Sequence, residues 1–141
     1  MSSRCFTYGS LMCADIMTRV CGHAPDACDA VLAGHSRHPV RDEDYPAIVP
    51  DAGGRVAGRL YAAIGASAWE RLDGFEGHQY ERRLVTVTLT DGRQLDAWAY
   101  VFRPQYGALL APGDWDFPAF VASGKRRFEA RYLGFDQLQQ Q

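Results

Sequence analysis

The sequence lacks the features that would direct the chain to a membrane or to nucleic acid. No run in its 141 residues approaches the roughly 18 apolar residues of a membrane span. Its formal net charge of -2 and pI near 6.0 provide no basic field to attract nucleic acid. The opening residues 1–4 also lack the apolar core of a signal peptide. We therefore expect a soluble, cytoplasmic protein that binds neither membranes nor nucleic acid.

Cysteine is scarce, and its spacing does not suggest metal or redox chemistry. The four cysteines form no C-x-x-C pair, and we interpret them as small buried or half-buried hydrophobic residues in a reducing compartment. A site that uses Cys21, His23 and Cys28 would match no standard zinc spacing. No nucleotide or flavin pattern occurs either, so the sequence predicts chemistry without a metal or cofactor.

Length and composition favour one domain that covers residues 1–141. Hydrophobic residues at 47% and charged residues at 23% are ordinary for a globular protein, and this length can bury a substantial core without disulfides. The sequence shows no internal repeat, low-complexity linker or domain boundary. Residues 137–141 are expected to form a frayed tail. The sequence does not indicate the oligomeric state.

The stretch Phe6 to Met12 joins a short apolar run to a helical pattern through Gly9. This order predicts a strand, a tight turn and a helix that ends at Gly22. Glycine permits a turn that aims successive N–H groups into one small space, where they can hold a carboxylate or a developing oxyanion. The simpler interpretation is an ordinary turn in which Ser10 only caps the helix.

A later segment, Leu72 to Arg83, places one carboxylate between an aromatic ring and a glycine. Ser67 and Glu70 have the spacing of a capping box, which predicts a helix that starts near residue 68. Gly74 lies where a C-terminal stop would fall. The helix is then short, and Glu76 is expected in the loop that follows it.

Apolar runs and turn residues predict the first half of a sheet. Residues 30–34 read as a short buried strand, whereas the prolines and glycines of residues 41–54 predict an irregular connection. Residues 55–64 alternate as a half-buried strand does. Gly58, inside that strand, indicates a bulge or a close backbone approach.

The second half of the chain carries a strong hairpin signal. Asp91-Gly92 joins two alternating runs, residues 81–90 and 94–103, which predicts an antiparallel pair. Asp114 or Asp116 is then expected to cap a helix whose inner face includes Val121.

The loop around Gly9 and the segment around Glu76 together resemble the γ-glutamylcyclotransferase-like, or AIG2-like, family. Tyr8 to Leu11 match its Tyr-Gly-Ser/Thr-Leu loop, and Leu72 to Arg82 match its Leu-Asp-x-Phe-Glu-Gly-x-x-Tyr-x-Arg segment. The resemblance implies a single α+β domain: a small, mixed, mostly antiparallel β-barrel or curved sheet with short helices around it. It extends over nearly the whole chain through three further similar pieces, Tyr45 to Ile48, Gly58 to Tyr61 and Asp114 to Phe117.

The resemblance also implies a small-molecule γ-glutamyl substrate, which is converted to 5-oxoproline and a free amine. It implies that Glu76 is the general base and acid, in surroundings that Phe75 helps to dry. The backbone of Tyr8, Gly9, Ser10 and Leu11 would hold a carboxylate or oxyanion. Tyr80 and Tyr45 would line the same cavity, or would be core residues with hydrogen-bonded hydroxyls. Three neighbouring acids have simpler explanations as capping, helix-end or paired residues, namely Glu70, Asp73 and Glu81.

Two other functions fit the same residues. A non-catalytic binding module would hold a carboxylate and an amine in this pocket without turnover. An interaction domain with a vestigial pocket would have no small cavity that joins Glu76 to the loop at Tyr8.

Overall fold

A closed β-barrel forms the centre of the computed structural model, which describes residues 3–133. Its order is β1-β3-β2-β4-β5, and the neighbouring strands are antiparallel except where β1 meets β5 in parallel at Cys5 and Trp98. This arrangement confirms the predicted α+β fold. Within the described residues the strands are β1 (Cys5–Thr7), β2 (Ala27–Pro39), β3 (Pro46–Tyr61), β4 (Tyr80–Leu89) and β5 (Gln94–Phe102).

Short helices pack around this barrel. The chain leaves β1 through a 3₁₀ turn, enters α1 and later α2, and ends its described part in a run of short helical segments. Arg71 of α2 donates from Nε to the carbonyl oxygen of Val20 in α1, at 3.0 Å, which ties these two helices together. The segments are Ser10–Met12 (3₁₀), α1 (Ala14–Cys21), α2 (Ala66–Glu76), Pro104–Leu109 (3₁₀), α3 (Phe117–Ala119), Phe120–Gly124 (π), α4 (Lys125–Phe128) and Glu129–Leu133 (π).

Buried apolar residues form one cluster inside the barrel and another between the barrel and its helices. The inner cluster includes Phe6, Tyr8 and Val101. The outer cluster includes Leu72 and Phe128. Successive residues of a strand point to opposite faces, so one strand can supply both clusters. Removal of this surface from water is the main stabilising contribution of both layers.

The predicted irregular connection over residues 41–54 is wrong for most of its length, because β3 already begins at Pro46. The prolines lie where a strand tolerates a missing N–H. Pro46 is at the strand end, and Pro50 pairs with His35 next to a register shift in β2. The turn-forming residues therefore mark a bulge inside a long hairpin. Likewise, β2 extends well beyond the predicted residues 30–34.

Two sequence predictions about the strands are confirmed. A Cβ at Gly58 would come within 2.1 Å of the carbonyl oxygen of Thr7, so β1 and β3 approach as closely as the glycine predicted. The strands β4 and β5 pair antiparallel from Tyr80 with Phe102 to Thr88 with Gln94, on either side of the Asp91-Gly92 turn.

The prediction for α2 needs three corrections. The helix begins after Gly65 without a side-chain cap, so Ser67 forms no capping box. Gly74 lies inside the helix, where a glycine costs about 1 kcal/mol but does not have to end it. The stop is Gly77, whose φ of 80° is favourable for glycine. Glu76 is therefore the last helical residue and does not lie in a loop.

The predictions for the first and last helices are partly confirmed and partly wrong. The 3₁₀ turn at Ser10–Met12 precedes α1, which starts only at Ala14, and Ser10 caps neither of them. Gly22 ends α1 with a φ of 85°, as predicted. Asp116 caps α3 through the N–H of Ala119, also as predicted.

Two expectations of burial are wrong. Val121 is 50% exposed, although Phe120 beside it is buried. Cys28 is exposed, whereas Cys5 and Cys21 are fully buried. The expected tail at residues 137–141 lies outside the described residues.

Candidate active site

A cavity of about 80 Å³ lies between the loop after β1, the end of α2 and strand β5. One water molecule needs roughly 10–15 Å³ of such space, so a small polar group fits. All the site residues predicted from the sequence line this cavity: Tyr8, Gly9, Ser10, Leu11, Tyr45, Glu76 and Tyr80. The remaining lining residues are Phe6, Thr7, Pro46, Phe75, Tyr100 and Phe128.

Protein donors hold the carbonyl groups of the loop after β1. Arg37 donates from Nη1 to the carbonyl oxygen of Tyr8, at 2.8 Å, and Tyr61 donates its hydroxyl to that of Leu11, also at 2.8 Å. The carbonyl oxygens of Gly9 and Ser10 accept hydrogen bonds from the backbone N–H groups of Met12 and Cys13, respectively. With every carbonyl from Tyr8 to Leu11 engaged, the peptide planes of the loop have a fixed orientation.

Residue 9 must be a glycine because its backbone lies very close to Pro46. A Cβ at residue 9 would come within 2.9 Å of Pro46 Cδ and 3.0 Å of Cγ. Such contacts are too short to accept without movement. The loop can therefore lie against the start of β3 only because residue 9 has no side chain.

Glu76 reaches the cavity from the last turn of α2. The residue as a whole is half-buried, because it ends a helix at the surface, but its carboxyl group is enclosed by protein. Burial, followed by the nearby charge of Asp73, raises the pKa of this carboxyl to about 8. Within residues 3–133, no cation or hydrogen-bond donor offsets that burial. The group is therefore balanced between its acid and base forms near neutral pH.

Asp73, one turn earlier on α2, has a different environment. Its Oδ1 accepts the hydroxyl of Tyr100 at 2.7 Å and lies 3.3 Å from Nε of Arg82. The Arg82 guanidinium in turn lies 4.5 Å from the ring centroid of Trp69 and 5.3 Å from that of Trp98. These contacts fix a negative charge close to Glu76 without neutralising Glu76 itself.

The tyrosines of the cavity use their hydroxyls for structure. Tyr8 donates to the carbonyl oxygen of Tyr100 at 2.7 Å, and Tyr80 donates to that of Pro46 at 2.9 Å. Burial, then the charge of Glu76, raises the pKa of Tyr8 well above its usual value. Tyr45 packs near Tyr80 and Phe128 at ring-centroid distances of 6.5 and 6.4 Å. Tyr80 is therefore both a core residue and a wall of the cavity.

Sequence reasoning did not single out Tyr100 or Thr7 as site residues. Tyr100 follows the alternation of β5 and has no motif around it, so only the packing of α2 on the barrel reveals its contact with Asp73. Thr7 lies next to the recognised loop motif but reads as an ordinary strand residue; it is buried, and its hydroxyl donates to the carbonyl oxygen of Arg59.

The chain also matches a known protein family. Residues 5–117 match the model of the family described as "Gamma-glutamyl cyclotransferase, AIG2-like", which covers both the loop after β1 and Glu76. The chain belongs to this family. AIG2-like protein C of Arabidopsis thaliana is 34% identical over 137 residues, which are 91% of this chain and 79% of that relative.

Solved structures of other proteins have the same fold as this chain. The solution structure of an Arabidopsis thaliana protein has a TM-score of 0.70 at 23% identity and covers 99% of this chain and 85% of its own. A γ-glutamyl cyclotransferase structure has a TM-score of 0.65 at 19% identity and covers 75% of this chain and 74% of its own. At these identities the similarity establishes the fold alone.

The described residues contain neither a cluster of metal-ligating side chains nor a membrane-spanning helix. Among residues 3–133, no group of three or more histidine, cysteine, aspartate or glutamate side chains is arranged to hold a metal ion. In that same part of the chain, every helix is too short or too polar to cross a membrane.

Proposed function

We propose that this AIG2-like protein is a γ-glutamylcyclotransferase that acts on a γ-glutamyl amine, a γ-glutamyl amino acid or a γ-glutamyl-protected intermediate. The observation that carries the proposal is the enclosed Glu76 carboxyl, with its raised pKa, in the same small cavity as the loop at Tyr8 to Leu11. Perturbed titration inside a cleft is typical of a catalytic acid or base.

The reaction needs no external nucleophile. The α-amino nitrogen of the substrate attacks its own γ-carbonyl carbon, a five-membered ring closes, and the bond from that carbon to the leaving amine breaks. The products are 5-oxoproline and the free amine. A cavity that holds the glutamyl chain folded brings the reacting atoms together, and such positioning can lower the barrier by several kcal/mol.

Glu76 carries out both proton transfers of this reaction. Its carboxylate removes a proton from the α-ammonium group, which is otherwise unreactive, and its carboxylic acid later gives a proton to the leaving nitrogen. One group serves both steps because its pKa of about 8 lies near the working pH, so both its base and its acid form are accessible. An ordinary exposed glutamate would remain ionised and would protonate the leaving group poorly.

The loop at Tyr8 to Leu11 stabilises negative charge in this proposal. Its carbonyl oxygens are held by protein donors, so its N–H groups have fixed directions when the substrate arrives. Fixed donors at an oxyanion are worth about 2.7–4 kcal/mol each in well-studied hydrolases. Gly9 keeps this loop in place against Pro46.

Aromatic rings exclude water from the proposed reaction. Phe75 and Phe128 lie with ring centroids 5.8 Å apart, and both line the cavity together with Tyr45 and Tyr80. Because the hydroxyls of Tyr8 and Tyr80 donate to backbone carbonyls, these residues serve as walls and do not act as proton donors to the substrate. Glu76 is the only carboxyl group among the described residues that line the cavity, so the proposal assigns both proton transfers to it.

The competing functions make different predictions. An interaction domain with a vestigial pocket predicts no cavity between Glu76 and the loop, and the cavity contradicts that expectation. A non-catalytic binding module remains the second candidate, because the same pocket could hold a carboxylate and an amine. Turnover distinguishes this module from the enzyme.

A substrate panel tests the proposal. The purified full chain would be incubated with γ-glutamyl amines, γ-glutamyl amino acids and ε-(γ-glutamyl)lysine, and 5-oxoproline would be measured by mass spectrometry. We expect release from at least one compound and its loss in Glu76→Gln. Glu81→Gln, which changes a half-exposed acid paired with Arg83 at 2.9 Å, provides a matched control that keeps activity. Saturable binding of a γ-glutamyl compound with no 5-oxoproline would instead favour the binding module.

A further inference from the structure

A second, larger concavity lies on the outer face of the barrel and shares no described lining residue with the Glu76 cavity. Its volume of about 630 Å³ is within the roughly 300–1,000 Å³ of typical small-molecule sites. Arg55 and Arg59 of β3 and Arg37 of β2 all line it. We call this concavity the arginine groove.

The strand register explains why these side chains share one face. Arg55, Ala57 and Arg59 alternate along β3, so their side chains leave the sheet on the same side. Ala57 pairs with Val31 of β2, which places a small apolar area beside the two arginines. At about 3.3 Å per residue, Arg55 and Arg59 start roughly 13 Å apart along the strand, close enough for both guanidinium groups to reach one ligand.

Two of the three arginines form no salt bridge with any residue in the range 3–133. Arg37 is engaged, because it bonds to both carboxylate oxygens of Asp114 and to the carbonyl of Tyr8. Arg55 and Arg59, in contrast, make no ion pair within the part of the chain that the structure describes. Asp29 also lines the groove and is the register partner of Arg59, but these two side chains form no salt bridge. The groove therefore keeps an excess of positive charge.

Arg59 provides a further observation. Its Nε is buried and has no hydrogen-bond partner among the described residues. Buried polar atoms without a partner are rare, and a guanidinium that has lost part of its hydration gains more from a nearby anion than a fully exposed one does. The outer face of β3 is thus arranged to favour an anionic ligand.

We propose that the arginine groove binds a small organic anion. A carboxylate or phosphate group would pair with Arg55 and Arg59, since the planar guanidinium fork matches both groups. An apolar body would lie over Ala57 and Val31, next to Phe117. The inference does not depend on the proposed catalytic function, because the groove and the Glu76 cavity share no described lining residue.

Titration by nuclear magnetic resonance tests the proposal on the ¹⁵N-labelled full chain. Benzoate and phenyl phosphate supply the two anionic groups on one aromatic body, and benzylamine is a cation of similar shape. We expect saturable shifts of the Arg59 Nε–Hε signal and of the amides of residues 55–59 with at least one anion, weakened by added salt. The anion that binds more tightly distinguishes a carboxylate ligand from a phosphate ligand.

Variants make the result decisive. Arg59→Gln and Arg55→Gln are each expected to weaken anion binding at least about tenfold, and Arg19→Gln, an exposed arginine on α1 outside the groove, leaves it unchanged. Arg55 is exposed, so its variant decides the question if Arg59→Gln fails to fold. Equal shifts with benzylamine, shifts confined to residues 8–11, no saturable shift, or unaltered binding by Arg55→Gln would each overturn the proposal.

Discussion

Two regions of this protein contain the same local pattern, a carboxylate followed by a glycine with positive φ. Glu76-Gly77 ends α2, with a glycine φ of 80°, and Asp91-Gly92 turns β4 into β5, with a φ of 90°. At Asp91 the backbone N–H of Arg93, then its guanidinium, holds the pKa below its usual value. At Glu76 burial raises the pKa to about 8. The difference teaches that partners and solvent, rather than the local sequence, decide what such a carboxylate can do.

The largest expected effect is on turnover, which tests most directly whether the carboxylates of Glu76 and Asp91 differ in function. Glu76→Gln should lower the rate of 5-oxoproline release by about 10²–10⁴-fold, since it removes the proposed proton carrier and keeps its shape. Asp91→Asn, the same type of change in the exposed turn, should leave the rate unchanged. Steady-state kinetics with the best compound of the panel measures both. Equal rates for the two variants would mean that the environments do not differ in function.

The second prediction concerns stability against pH. A carboxyl whose pKa is raised on folding stabilises the folded state fully at low pH, and that contribution is lost as pH rises from about 4.5 to about 8. The free energy of unfolding of wild type should therefore fall relative to Glu76→Gln over this window, by several kcal/mol and at most about 5. Urea unfolding at pH 5, 7 and 9 measures the difference. A constant difference would show that the Glu76 carboxyl is not perturbed by burial.

The third prediction compares Gly9, in the loop that lines the cavity, with a glycine that has no close neighbours. Gly9→Ala places a methyl group within 3.0 Å of Pro46, so the loop must move. We expect a loss of about 1–3 kcal/mol in stability and about 10²-fold in turnover. Gly53→Ala, where an added Cβ meets nothing within 4 Å, is the matched control. Thermal unfolding and kinetics together would contradict the prediction if both variants behaved like wild type.

The smallest effect should come from the charge beside Glu76. Asp73→Asn removes the second cause of the raised pKa, so the pKa of Glu76 should fall and the acidic limb of the kcat/KM profile should move to lower pH. Asparagine can still accept the hydroxyl of Tyr100, which limits structural damage. Glu70→Gln, an exposed acid on the same helix, should leave the limb in place. A shift in the opposite direction would exclude the electrostatic explanation.

The mixture of confirmed and wrong predictions has a physical pattern. Several signals that act through a few neighbouring residues were reliable, namely the Asp91-Gly92 hairpin, Gly22 at the end of α1 and the Asp116 cap. The capping-box spacing of Ser67 and Glu70 is also local, but it was misread. Signals that depend on the partner strand were misread. Pro50 and Gly54 look like a loop, but Pro50 lies beside a bulge, and a Cβ at Gly54 would come within 2.1 Å of the carbonyl oxygen of His35.

The sequence by itself determined the chemical groups of the candidate site and the order of the main elements. Strand alternation, turn glycines and the two family motifs can be recognised because each depends only on residues close together in the chain. The tertiary structure alone decided which groups meet. Closure of the barrel brings Glu76 to a loop nearly 70 positions earlier and encloses its carboxyl, and it places Arg55 and Arg59 on an outer face where no described residue forms a salt bridge with them. Burial and partnership come from contacts distant in the chain, and these set the pKa of a carboxyl and the affinity of an arginine.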